Sequence, residues 1–157
     1  MHSIAVIGIG NLLMRDDGVG IHVLKELGET DLPPEVELID GGTHSYDLVE
    51  FFCQSDHIIV IDAVQAGGDP GTIYRAPLEH LNPTPRQDMT SVHEMSFVEA
   101  LYMVNLLGYQ PRVLVYGVEP GSLDLGLELT EAVAAKVPRL VELIREDIQR
   151  LQETGEF

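Results

Sequence analysis

The chain has a single cysteine, few cations and no long apolar run. One cysteine excludes an internal disulfide framework and argues against a cysteine-built zinc site. Cys53 ends the apolar-periodic stretch Leu48–Cys53 and reads as a small packed hydrophobe. Nine Lys and Arg stand against 26 Asp and Glu, a formal charge of −17. Nucleic acid is therefore not an expected partner, because phosphate neutralisation needs clustered cations. Anionic membrane surfaces are disfavoured on the same ground, and no apolar run approaches the roughly 20 residues that span a bilayer. No secretory signal precedes the first strand. The expectation is a soluble cytoplasmic protein with no membrane association.

What is present is a globular composition, 45% apolar over 157 residues. That length predicts one domain over residues 1–157. A chain of this size hides about 68–70% of its unfolded surface and folds without a disulfide or structural metal.

Ser3 to Ile9 is an apolar run too short for a helix, as in strands buried on both faces. Gly18 to Leu27 has helical spacing, with Asp16 and Asp17 at its start, where carboxylates suit the helix dipole. Val36 to Ile39 predicts a second strand, closed by Asp40-Gly41-Gly42-Thr43, and a helix follows from Ser45 to Cys53. His57 to Ile61 predicts a third strand ending at Asp62. Thr72 to Arg75 predicts a fourth, antiparallel because too few residues separate it from the third for a helical crossover. A Pro-rich connection from Pro77 to Thr90 leads to a helix over Glu94–Leu107, with Ser91 and Glu94 as its capping box. Arg112 to Val118 predicts the fifth strand. A terminal helix runs from Thr130 to Glu153 with Pro138 set to kink or split it. Strands alternating with helices give an α/β three-layer sandwich: a five-stranded, mostly parallel twisted sheet with helices on both faces. In such sheets ligands bind beyond the carboxyl ends of the parallel strands. Asp16, Asp17, Asp40, Asp62 and Glu119 all stand at or past strand ends.

Gly8-x-Gly10 resembles the start of a dinucleotide fingerprint, but Leu13 stands where the third glycine belongs. Asp16 and Asp17 would also repel a pyrophosphate. The two glycines read instead as a tight strand-to-loop turn. Asp17, Asp62 and His93 form a two-oxygen, one-nitrogen set that suits a borderline divalent metal with positions open for substrate or water. Spacing alone leaves other readings: Asp17 as a helix N-terminal acid, Asp62 bonding loop amides, His93 as a cap or core residue. His44, beside Gly41-Gly42, is placed to line the same site. No Gly-x-Ser-x-Gly elbow exists, so a hydrolase here would use water as its nucleophile.

Gly8-Ile9-Gly10-Asn11-Leu12-Leu13, Asp16-Asp17-Gly18-Val19-Gly20, Asp40-Gly41-Gly42-Thr43, Ile59-Val60-Ile61-Asp62-Ala63, Ser91-Val92-His93 and Gly117-Val118-Glu119-Pro120 follow one another in order. Together they resemble the hydrogenase maturation protease family over nearly the whole chain. The resemblance implies a nickel-dependent endopeptidase that removes the C-terminal extension of a nickel-loaded [NiFe] hydrogenase large subunit precursor. It implies metal contacts at Asp17, Asp62 and His93, with the nickel carried in by the substrate. The mechanism expected on that basis has Asp40 or Asp16 helping to activate water, and the expected state is a monomer. Family members carry Glu or Asp at the first metal position, and Asp17 is the shorter of the two. Ser45 stands where the family often has glycine. Two other classes remain open: a nickel-binding maturation chaperone without protease activity, and another hydrolase on a similar scaffold, such as one acting on peptidyl-tRNA.

Overall fold

A computed structural model describes residues 3–42, 46–78, 90–91 and 101–157. Strand β1 spans Ile4–Ile9, and a 3-10 turn at Arg15–Gly18 leads into helix α1, Val19–Leu27. Then come β2 (Val36–Gly42), α2 (Tyr46–Gln54), β3 (His57–Gln65), β4 (Ile73–Pro77) and the two-residue β5 (Thr90–Ser91). Residues 101–106 are helical (α3) and precede β6, Arg112–Val118. Two helices close the chain, α4 at Glu131–Ala134 and α5 at Val137–Thr154.

The strand order is β2-β1-β3-β6-β4, with β5 pairing off β3. Pairs β1–β2, β1–β3 and β3–β6 are parallel, while β4 runs antiparallel to β6 as expected. β5 was not expected; Ser91 pairs with Val64 in this strand, and its expected capping box with Glu94 lies outside the described residues. β2 and β3 run past their expected ends, to Gly42 and Gln65, so Asp40 and Asp62 lie within strands. Pro138 splits the C-terminal helical region, sitting at the start of α5 where its missing N–H leaves no bond unmade.

Alternation along the strands sorts the core into two layers. Ile4, Val6, Ile59, Ile61 and Leu114 pack with Val23, Leu27, Leu140, Ile144 and Ile148 of α1 and α5. Ala5, Ile7, Ile58, Val60 and Val113 pack on the opposite face with Phe52 of α2 and Val104 of α3. Cys53 packs at the margin of this second layer, half-buried and free. Among the described residues no helix is long and apolar enough to cross a membrane.

One buried ionic cluster, invisible to periodicity, fastens α5 to the sheet edge. Asp147 is 2% exposed. Its carboxylate accepts from Arg75 Nη2 (2.6 Å), Arg75 Nε (3.2 Å), Arg150 Nη1 (2.9 Å) and the Tyr116 hydroxyl. Burial, then the bond to Asp147, holds the Tyr116 phenol well above its usual range. The bond to Asp147 raises the Arg75 guanidinium further.

The first turn of α1 lies flush on β1 and β3. A Cβ built on Gly20 would sit 2.3 Å from the Ile61 carbonyl oxygen and 3.0 Å from Ile9 N and O. Gly8 is inside β1 opposite this contact, so its role is close helix approach and not the expected turn. A Gly20→Ala change gains about 1 kcal/mol of helix propensity. It also forces a methyl into backbone atoms that cannot swing away, at about 1–3 kcal/mol or more. The clash decides the sign, and chemical denaturation should give a lower midpoint for this variant.

Candidate functional site

Strands β1 and β3 are neighbours, and the chain leaves their carboxyl ends in opposite directions, from β1 toward β2 and from β3 toward β4 and β6. This is the point in a parallel sheet where a crevice opens. The last β1–β3 pair is Gly8 with Ile61, and Asp62 is the next residue. On the other flank Asp40 pairs with Gly8. Asp62 and Asp40 therefore stand on the two strands that flank the end of β1.

Asp17 comes from the 3-10 turn, which packs against β3. Gly10 makes the approach possible: its φ is 135°, and a Cβ there would lie 1.8 Å from the Asp17 carbonyl oxygen. No L side chain fits that contact. Gly10 N donates to Gly42 O (2.8 Å), tying the loop to β2, and Asn11 N donates to Asp17 Oδ2 (2.9 Å). Asn11 Oδ1 in turn accepts from Leu13 N (2.9 Å), an Asx turn. Asp17 is 3% exposed and Asp62 5% exposed, the latter accepting from Ala63 N at 2.8 Å. α1 has no side-chain cap, so Asp17 does not serve as an N-cap.

Asp16 is turned the other way and is fully buried. Its Oδ2 accepts from Gly121 N (2.7 Å), Ser122 N (3.0 Å) and Thr130 Oγ1 (2.7 Å), and its Oδ1 from Thr130 N (2.8 Å). Four donors occupy the carboxylate and fix the loop before α4 against the 3-10 turn. Glu119, also expected at the rim, faces the β3–β4 turn. Its Oε1 accepts from Ala66 N (2.9 Å), Gly68 N (2.9 Å) and Tyr74 OH (2.8 Å). Asp40 stays exposed, its Oδ1 holding Gly42 N at 2.9 Å.

His93 and His44 lie outside the described residues, as does Ser45. His57 belongs to the amino end of β3, where it packs edge-on against Phe157. Among the described residues no group of three His, Cys, Asp or Glu side chains is arranged to hold a metal ion. Asp17 and Asp62 contribute two oxygen donors. With one imidazole they would make a mixed set suited to a borderline divalent ion such as nickel. Burying two carboxylates at one crevice is also offset when a cation joins them.

Sequence reading missed Asn11 and Thr130. The Gly-Asn turn signal could have found Asn11. Thr130 meets Asp16 across 114 residues of chain, and no local pattern reports such a contact.

The model of the hydrogenase maturation protease family HycI matches residues 21–147. The hydrogenase expression/formation protein HupD of Rhodobacter capsulatus is 34% identical over 147 residues, covering 91% of this chain and 70% of that protein. The hydrogenase 2 maturation protease of Escherichia coli K12 is 30% identical over 155 residues, covering 97% of this chain and 92% of that one. The solved structure of the hydrogenase maturating endopeptidase HybD from E. coli superposes with a TM-score of 0.85 at 30% identity, covering 98% of this chain and 94% of that chain.

Proposed function

This chain belongs to the hydrogenase maturation protease family, and from that premise we propose that it removes the C-terminal extension of a [NiFe] hydrogenase large subunit precursor once nickel is in place. It is a peptide hydrolase of hydrogenase maturation. Nickel enters as part of the substrate. Asp17, Asp62 and His93 close around it, and its capture sets the scissile peptide beside the crevice. A precursor without nickel offers nothing for the two carboxylates to hold, which makes metal loading the condition for cleavage.

Water is the nucleophile. Asp16 spends both oxygens on the 121–130 loop, so of the two candidate bases Asp40 is the one left to act. An exposed carboxylate at the edge of the crevice can take the proton as the water oxygen bonds to the scissile carbonyl carbon. The C–N bond then breaks and the amine leaves with a proton. The reading places the protein in the cytoplasm, as one domain acting as a monomer.

What supports this reading is that two nearly buried aspartates, Asp17 and Asp62, belong to elements beside the carboxyl end of β1, where the strand order reverses. Its test is incubation with nickel-loaded, unprocessed large subunit and mass measurement of the products. A released C-terminal peptide is expected with loaded precursor and none with nickel-free precursor. Stoichiometric nickel binding with precursor of unchanged mass would make the protein a chaperone and sink the proposal.

A further inference from the structure

Beside the crevice the protein exposes an apolar ledge. Residues 13–15 and 125–127 run side by side as a short parallel pair. Gly126 N donates to Leu13 O (2.8 Å), Arg15 N donates to Gly126 O (2.9 Å), and Met14 bridges Gly126. Leu12 is 40% exposed, Leu13 58%, Leu125 83% and Leu127 67%. Scattered exposed leucines are ordinary, but four on two adjoining segments are a patch of the kind that marks an interaction site.

The ledge is built, not frayed. Asp16 anchors the loop at both ends, at Gly121 and Ser122 and again at Thr130. Arg15 holds its middle, with φ at 46° and Nε donating to Glu128 O (3.1 Å). The ledge is also continuous with the site, because Asn11, next to Leu12, donates its N–H to Asp17. Exposed Asp124 and Glu128 flank the two outer leucines, on a chain of net charge −17.

We propose that this ledge docks the hydrogenase large subunit precursor through a segment carrying aliphatic side chains flanked by Lys or Arg. The aliphatic groups cover the four leucines, and the cations face Asp124 and Glu128. This rests on the reading of Asp17 as a site residue, since the docked segment then lies next to the captured metal. Docking here makes the precursor's protein surface, as well as its nickel, a condition for cleavage.

The test uses nickel-loaded precursor with wild-type protein and a Leu125→Ser/Leu127→Ser variant, measuring binding and fragment release separately. Both positions are exposed loop side chains, so the variant should melt as wild type does. The expected result is affinity for precursor weakened about tenfold or more, with the rate at saturating precursor little changed. Wild-type binding should also weaken as salt rises. If wild type cleaves and the variant binds equally well, the ledge is overturned and the protease reading stands. If wild type binds through the ledge but releases nothing, the ledge stands and the protease reading fails. If the leucines instead mediate self-association, and their loss spares precursor binding, the occupant is a second copy and the proposal falls.

Discussion

An Asp62→Asn variant is expected to fold normally and to release C-terminal peptide at least about 100-fold more slowly than wild type. The magnitude follows from metal sites, where loss even of groups that only support a ligand costs about 10–100-fold. Stability should change little, because Asn keeps an oxygen able to accept from Ala63 N, which donates to Asp62 at 2.8 Å. A shift within about 4 °C of the wild-type melting temperature would match a change of about 1 kcal/mol in a protein of this size. Asp40→Asn supplies the contrast. It removes the proposed base and leaves the proposed ligands, so it should still capture nickel-loaded precursor while cleaving it slowly. Binding and cleavage measured side by side separate the two roles. Wild-type processing by Asp62→Asn would remove Asp62 from the ligand set.

Asp147→Ala is expected to destabilise the α5 side of the sheet strongly. Removing one member of a buried ion pair costs about 3–5 kcal/mol, because its partner keeps its charge and loses its compensation. Arg75 is 36% exposed and recovers some hydration, so the lower end, about 3 kcal/mol, applies. The melting temperature should drop by about 6–12 °C. The Tyr116 hydroxyl, buried and left without its acceptor, adds to the loss. A drop of less than about 2 °C would show that the cluster does not fasten α5. The same cluster sets an alkaline limit. The folded state holds the Tyr116 phenol protonated beyond its ordinary value near 10. Above about pH 10 the unfolded chain therefore binds fewer protons than the folded one. The stability from this group is present in full below that pH and is lost as pH rises through the folded value.

Much of the architecture was legible because burial on both faces leaves a plain mark. The apolar runs at Ile4–Ile9, His57–Ile61 and Arg112–Val118 each became a strand of the sheet interior, and the short gap before Ile73 correctly gave an antiparallel strand. β5 escaped because a two-residue strand has no period to detect. At the site, the types and chain positions of Asp17, Asp40 and Asp62 could be read, but the direction each side chain takes could not. Adjacent aspartates look alike in sequence. Only the arrival of Gly121, Ser122 and Thr130 makes Asp16 a loop anchor while Asp17 turns to the Asn11 amide. Gly8 shows the same gap: a glycine in a strand signals close approach of something, without saying that it is the first turn of α1.

The bonds from Asp16 to Gly121, Ser122 and Thr130 cross 105 to 114 residues. During synthesis β1, α1 and β3 leave the ribosome well before those partners exist. Until Thr130 has emerged, the 3-10 turn that carries Asp16 and Asp17 lacks this anchor, so its final geometry waits on a segment made more than a hundred residues later.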